Sequence, residues 1–189
     1  EHDDVDLRRR VFVVSRMQQN TGATLPADEP ISEDAATLDP FPARGSGAQT
    51  VAVFHGARSI SAPFSPGYSQ FPEHRPFAAF DGNPRTAWLA DRALDPEWHA
   101  VTIAFTRPRD VAAIAVLPRN EAGARTLAVV VNGRQFGVGE GWTRLPLGLK
   151  NVGALRLKVV SAKTGSASAG GLAEVRIPRV HVTESLRPP

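Results

Sequence analysis

Large apolar residues alternate with small or polar ones in short stretches along most of the chain. In residues 98–105, for example, Val101, Ile103 and Phe105 fall at every second position. Side chains alternate between the two faces of a strand, so this spacing predicts a strand with one apolar face. No convincing amphipathic helical period occurs, and the pattern therefore favours β-structure.

Similar segments recur at short intervals and are separated by turns rich in Gly and Pro. The predicted strands are residues 50–54, 58–62, 98–105, 111–117, 126–131, 134–138, 142–145, 154–160, 172–177 and 180–183. Residues 106–110 are predicted as a turn, and Asn132-Gly133 as a tight hairpin turn because both residues accept a positive φ. Half-apolar strands must bury one face, so we predict an all-β fold, an antiparallel β-sandwich.

The first part of the chain has a different character. Residues 1–48 contain one plausible strand, at 10–14, and otherwise a run rich in Pro, Asp, Glu and Ala without sustained periodicity. We therefore predict an irregular N-terminal extension or linker over 1–48 and a sandwich domain over 49–189. The chain begins at an acidic Glu1 rather than at Met, which leads us to expect a piece of a longer protein.

Composition narrows the function classes. The 189 residues are 42% hydrophobic and 22% charged, as in ordinary globular proteins, and they include no cysteine. Disulfides, Cys-ligated zinc and a thiol nucleophile are thereby excluded. The net charge of +3 is spread along the chain without a stripe of interleaved aromatics, so a nucleic-acid partner is not expected. The apolar runs fall far short of the roughly 20 residues that cross a bilayer.

Enzymatic chemistry has little support in the sequence. The five histidines are dispersed, no G-x-S-x-G occurs, and no pair of carboxylates for glycoside cleavage can be assigned. We therefore predict that the domain is itself non-catalytic.

The densest turn signal lies in the segment F-D-G-N-P-R-T-A-W, residues 80–88. Gly82 accepts a positive φ, while Asp81 and Asn83 can hydrogen-bond their own backbone. The hydroxyl of Thr86 and the indole of Trp88 follow, and they share one face if the chain is extended there. The segment is typical of a small constructed site rich in oxygen atoms.

The order of motifs along the chain identifies a family resemblance. The turn segment is followed by W-H-A-V-T-I-A-F, V-A-A-I-A-V-L-P-R-N, V-V-V-N-G, W-T-R-L, L-R-L-K-V-V and G-L-A-E-V-R-I. Over about residues 59–177 this series resembles the discoidin-like family, the coagulation factor five/eight type C domains, which includes many bacterial carbohydrate-binding modules. The resemblance implies a jelly-roll, galactose-binding-like sandwich.

A narrower resemblance concerns P-E-H-R-P-F-A-A-F-D-G-N-P-R-T-A-W and G-L-A-E-V-R-I-P-R-V-H-V-T-E-S-L-R. These segments look like the modules inside large actinobacterial cell-envelope arabinofuranosyltransferases, which are membrane enzymes with such modules on the outer side. It implies an extracytoplasmic location within a membrane-anchored parent protein.

The resemblance also implies a structural Ca²⁺ ion. The turn offers the carboxylate of Asp81, a carbonyl such as that of Asn83 and the hydroxyl of Thr86, and the position that closes the site in the family is matched by Glu174. Ca²⁺ prefers such oxygen ligands. The alternative is that Asp81 only caps its own turn.

A sugar site is expected in the loops at one end of the sandwich, where the family binds its ligands. The matching loops are residues 63–76, 89–97, 118–125 and 161–170. The candidate ligand-binding residues are Tyr68, His74, Arg75, Arg119 and Asn120. An aromatic ring can stack on a sugar and arginine can donate to its hydroxyls; alternatively, the arginines are only solvated, His74 is satisfied within its loop and Tyr68 plugs the end of the fold.

Burial is predicted for all three tryptophans, Trp88, Trp98 and Trp142. The sequence as a whole predicts a non-catalytic, calcium-stabilised carbohydrate-binding module that serves a larger cell-envelope glycosyltransferase. Its expected partners are a cell-wall glycan and the rest of the parent enzyme. The alternatives are a structural or protein-interaction domain of the same parent without sugar binding and a small standalone hydrolase.

Overall fold

The computed structural model describes residues 51–62, 74–91, 96, 99–120, 124–163 and 168–187. The predicted extension 1–48 with its strand at 10–14 lies outside the described residues, as do Tyr68 and Trp98. The proposed domain boundary stays a prediction for the same reason.

The described residues form nine strands and one short 3-10 helix, Pro76–Ala79. The strands are β1 Val51–His55, β2 Ser59–Ser61, β3 Trp88–Asp91, β4 Ala100–Arg119, β5 Ala124–Val131, β6 Arg134–Gly137, β7 Thr143–Lys163, β8 Ser168–Arg176 and β9 Thr183–Arg187. No helix in this part of the chain is long and apolar enough to cross a membrane.

All the strand pairings are antiparallel, which confirms the predicted fold class. The larger sheet has the order β3-β8-β4-β7-β5-β6, with β2 paired to the first part of β4. A second sheet consists of β1 and β9. Both halves of β4 contribute to one core, with Val101 and Ile103 from the first half and Ile114 and Val116 from the second. The larger sheet therefore curves around a single core.

The predicted hairpin at Asn132-Gly133 is confirmed. Asn132 has φ 46° and Gly133 has φ 88°, and β5 and β6 pair on either side of them. These positive φ values match the right-handed twist of the two strands, which is why this dipeptide was informative.

The predicted turn at residues 106–110 is wrong. This segment lies inside β4, and the register between β4 and β7 shifts between Ala104 and Val111. Pro108 has no N–H to donate, and an irregular stretch of ladder accommodates it without ending the strand.

The separate strands predicted at 142–145 and 154–160 are likewise one strand, β7. Positive φ values at Gly148 and Asn151 allow the backbone to bend while it continues to pair with β4. The predicted last strand at 180–183 is also wrong, because the strand begins at Thr183 and continues to Arg187. Pairing with the distant β1, rather than local apolar pattern, determines β9.

A small apolar cluster lies on the opposite face of the larger sheet from the core. Trp88 is fully buried in the core, so its neighbours Ala87 and Leu89 point to the other side of β3. There they pack with Ala173 of β8 and the partly buried Leu117 of β4. We call this side of β3, β8, β4 and β7 the outer face.

Candidate cation site and loop residues

The turn before β3 is held by its own polar side chains. The backbone N–H of Asn83 donates to Asp81 Oδ1 at 2.8 Å, and the N–H of Arg85 donates to Asn83 Oδ1 at 3.1 Å. Gly82 has φ 78°, which glycine adopts without strain. The capping role that the turn sequence allows for Asp81 is therefore present.

The oxygen atoms of the turn also converge on one point. Thr86 Oγ1 lies 2.7 Å from Asp81 Oδ2 and 2.7 Å from the carbonyl oxygen of Asn83. A hydroxyl has one hydrogen to donate, so it serves one of these acceptors at a time. The Thr86 hydroxyl thus lies within hydrogen-bonding distance of both a carboxylate and a carbonyl oxygen.

Glu174 of β8 joins this turn from a distant part of the chain. Its side chain is buried, with 3% exposure, and Oε1 accepts the N–H of Val175 at 3.2 Å. Its other oxygen, Oε2, is buried without a hydrogen-bond partner among the described residues. Burial, and next the negative charge of Asp81, raise the pKa of Glu174 to about 7, although N–H groups of Val175 and Gly82 and the charge of Arg176 oppose this shift.

The donor set fits a hard cation. The negative charges of Asp81 and Glu174 repel each other, and one oxygen of Glu174 is buried without a partner among the described residues. A divalent ion between the two carboxylates would offset the repulsion and give that oxygen a partner. Within the described part of the chain, no three His, Cys, Asp or Glu side chains lie together in a group that could hold a metal ion. A site here would therefore complete its coordination with the carbonyl of Asn83, the hydroxyl of Thr86 and other uncharged oxygens.

Arg75, a predicted sugar-binding residue, lies against β9. Its Nη2 is 2.6 Å from Glu184 Oε2, and the two side chains are only 17% and 8% exposed. Its guanidinium also lies 5.2 Å from the ring centroid of Phe77, which stacks on Phe54 of β1. Arg75 therefore fastens the 3-10 helix to the small sheet, and the neighbouring His74 is half-buried at the start of this segment.

Arg119 and Asn120 lie at a different position in the fold, the end of β4. Arg119 is opposite Gly171 of β8 in the strand register. Asn120 Oδ1 accepts the backbone N–H of Thr126 at 3.1 Å, which closes the connection from β4 to β5. The structure thus brings Arg119 and Asn120 together and places Arg75 against another part of the molecule.

Burial of Trp88 is confirmed, but the predicted burial of Trp142 is wrong. Trp142 is 42% exposed, and the guanidinium of Arg176 lies 4.0 Å from its ring centroid. A signal for this was present in the sequence: Leu145 and Leu147 alternate with Arg144, which places Arg144 and Trp142 on the face opposite the leucines.

Solved structures include a protein with the same fold. The arabinofuranosyltransferase AftD from Mycobacteria is similar to this chain with a TM-score of 0.59 and 18% identity, over 89% of this chain and 14% of AftD. This similarity establishes the shared fold. It therefore confirms, at the level of the fold, the resemblance inferred from the motifs. The chain spans only a small part of the length of that enzyme.

Two carbohydrate-binding modules are more distant. Chitosan-binding module 1 of a Paenibacillus sp. IK-5 chitosanase/glucanase has a TM-score of 0.41 and 12% identity, over 68% of this chain and 93% of that one. The family 32 module of Clostridium perfringens NanJ, solved with galactose, has a TM-score of 0.39 and 14% identity, over 68% and 92%. No protein-family model and no curated protein matches this chain.

Proposed function

We propose that this domain is a non-catalytic carbohydrate-binding module, stabilised by calcium, that serves a larger cell-envelope glycosyltransferase. One observation carries the proposal: nearly the whole chain shares its fold with a small part of an arabinofuranosyltransferase. A domain of this size within a much larger transferase is suited to holding a glycan near the catalytic part. The domain would then lie outside the cytoplasmic membrane, as part of a membrane-anchored parent protein.

Calcium in this proposal is structural. Asp81, Asn83, Thr86 and Glu174 would hold the ion, which supplies positive charge between two carboxylates and takes no part in a reaction. The buried, unpartnered Glu174 Oε2 supports this assignment, because leaving such an atom without a partner is costly. Through these residues the ion would link the turn before β3 to β8, two segments that are far apart in the sequence.

Sugar recognition is assigned to the loop end, with Arg119 as the principal donor. Its guanidinium can donate in a fixed planar geometry to the hydroxyls of a sugar ring. Asn120 adjoins it, and Tyr68, His74 and Arg75 stay candidates from the sequence, although Arg75 lies against β9. The ligand we propose is a neutral cell-wall polymer such as arabinan or galactan.

A structural or interaction domain of the same parent enzyme is the second candidate. This candidate is favoured because two of the candidate sugar-binding residues already interact with other residues of the domain. Arg75 is engaged with Glu184, and the side-chain oxygen of Asn120 is engaged with Thr126. In that case the loop end would pack against the parent enzyme without binding sugar.

Calorimetric titration of arabinan and galactan oligomers into the 189-residue chain separates the two candidates. We expect binding that Arg119→Ala weakens at least tenfold, since one hydrogen bond to a charged group contributes about 1.5–3 kcal/mol. Arg134→Ala, which removes an exposed arginine that lies over Phe136 of β6, is the matched control and leaves binding unchanged. Absence of heat with every glycan, in a folded domain, would overturn the proposed function and favour the second candidate.

A further inference from the structure

The outer face of the larger sheet carries two exposed arginines with a small residue between them. Arg176 of β8 and Arg144 of β7 are each directly opposite Ala115 of β4 in the strand register. The three side chains therefore form a row across the sheet on one face. Adjacent strands are about 4.8 Å apart, so the two arginines flank the small, partly buried Ala115.

Trp142 adds an aromatic surface to this row. It precedes Arg144 by two residues and reaches over β4 to Arg176, whose guanidinium lies 4.0 Å from the ring centroid. The turn before it is held by Thr143, whose Oγ1 accepts the N–H of Gly139 at 3.3 Å and lies 3.4 Å from the carbonyl oxygen of Gly141. Trp142 is thus positioned by the backbone while its indole stays 42% exposed.

The charges around this surface leave it positive. The guanidinium of Arg144 makes no hydrogen bond or ion pair within the described part of the chain. The nearest acid along β8, Glu174, is buried and faces Asp81. Glu140, in the turn before Trp142, is paired at 3.5 Å with Arg125 of β5. An anion approaching Ala115 therefore meets two guanidinium groups and no exposed carboxylate from the described residues of β7 or β8, while the exposed Asp110 of β4 lies five residues from Ala115 and is paired with Lys150.

We propose that Trp142, Arg144 and Arg176 form a second ligand site, which binds an acidic sugar residue. An exposed indole can pack against the C–H face of a sugar ring, and a guanidinium binds a carboxylate or phosphate through two parallel hydrogen bonds. Arg176 lies over one face of the indole, so the sugar ring would pack against the other face. A single exposed tryptophan needs no functional explanation. Trp142, however, lies beside two arginines, and the guanidinium of Arg144 has no partner among the described residues; together these side chains are the components of a site for an anionic sugar.

This site is independent of the loop-end site in the proposed function. It is centred on Ala115, four residues before Arg119 along β4, and its ligand differs in charge. Neutral glycan binding can therefore fail while acidic sugar binding succeeds, and the reverse also holds.

Titrations of the 189-residue chain, followed by NMR of the indole N–H signals and by calorimetry, test the site. The probes are trigalacturonic acid for the carboxylate, glucose 1-phosphate for the phosphate, and neutral trigalactose as the uncharged counterpart. We expect at least one acidic probe to bind and to shift the indole signal that Trp142→Phe removes, while trigalactose leaves that signal unchanged. Trp88 is buried and should not respond.

The variants Arg144→Ala and Trp142→Ala should each weaken binding of the acidic probe at least tenfold. Arg134→Ala is again the matched control, because it removes an arginine from another aromatic ring and should leave binding unchanged. Arg176 is less suitable as a test variant, since its charge also acts on Glu174.

Three outcomes would overturn the site. The first is that neither acidic probe binds a folded chain. The second is equal weakening by Arg134→Ala, which would indicate diffuse attraction between charges. The third is loss of acidic binding in Arg119→Ala, which would place the acidic sugar at the loop end.

Discussion

Trp88 and Trp142 belong to two regions that use the same side chain in opposite ways. Trp88 is fully buried in the core, on the strand that pairs with β8 and directly follows the turn that carries Asp81. Trp142 lies on the outer face, 42% exposed, with Arg176 over its ring. Both follow a turn; Trp88 begins β3 and Trp142 immediately precedes β7, so the sequence around them is similar in kind. The difference in burial arises from the side chains that neighbouring strands pack around each tryptophan.

Alanine substitution should separate the two regions most strongly. Trp88→Ala removes a large side chain from a closed core, and we expect a loss of about 3–5 kcal/mol in the free energy of unfolding. Trp142→Ala removes a half-exposed ring and should cost less than about 1 kcal/mol. Urea unfolding measures both values. Similar losses in the two variants would contradict the difference in burial.

Calcium should stabilise the Trp88 region and thereby the whole domain. At free calcium 100 times its dissociation constant, the free energy of unfolding should exceed that in chelator by about 2.7 kcal/mol. Thermal melts with calcium and with chelator measure the difference. An identical melt under both conditions would contradict the calcium site.

Glu174→Gln refines this comparison. It should abolish the response to calcium without destabilising the domain in chelator, because the amide removes a buried charge that faces Asp81. Asp110→Asn is the matched control: Asp110 is exposed, bonded to Lys150 at 2.9 Å, and should leave the calcium response intact.

Glycines near the two tryptophans should tolerate substitution differently. A Cβ on Gly171 would overlap the carbonyl oxygen of Trp88, so Gly171→Ala should cost about 1–3 kcal/mol through overpacking. A Cβ on Gly141, beside Trp142, would meet nothing within 4 Å, so Gly141→Ala should be neutral or slightly stabilising. Denaturant unfolding of both variants tests this. The prediction fails if Gly171→Ala is as stable as the native chain.

The smallest expected effect concerns Arg176 itself. Arg176→Lys keeps the positive charge near Glu174 but loses the planar contact with Trp142, and we expect a loss of about 0.5 kcal/mol or less. Arg134→Lys, which alters the equivalent contact with Phe136, should cost a similar amount. If Arg176→Lys lowered the free energy of unfolding by about 2 kcal/mol while Arg134→Lys did not, Arg176 would contribute more to stability than an exposed arginine should.

Local signals predicted the parts of the fold that depend on local conformation. Asn132-Gly133 forms the expected hairpin turn, and Asp81 caps its own backbone as its neighbours Gly82 and Asn83 suggest. Each of these turns is determined by φ values and hydrogen bonds of residues that are adjacent in the sequence, so the local sequence is sufficient to predict it.

Continuity of the strands was harder to predict. Pro108 and Gly148 are ordinary signals for a turn, yet β4 and β7 continue through them because each strand pairs with the other across irregular register. A breaker residue ends a strand only if its partner strand cannot accommodate the local distortion. The partner is distant in sequence, so the local pattern could not show this.

Alternation and turn chemistry by themselves determined the antiparallel β class, the hairpin and the capped turn at Asp81. The family resemblance added Glu174 as the distant partner of that turn. Only the tertiary structure decided that Glu174 is buried beside Asp81, that Arg75 is engaged with β9, and that Trp142 faces outward. Burial and charge at a residue depend on every element packed around it, and those elements come from remote parts of the chain.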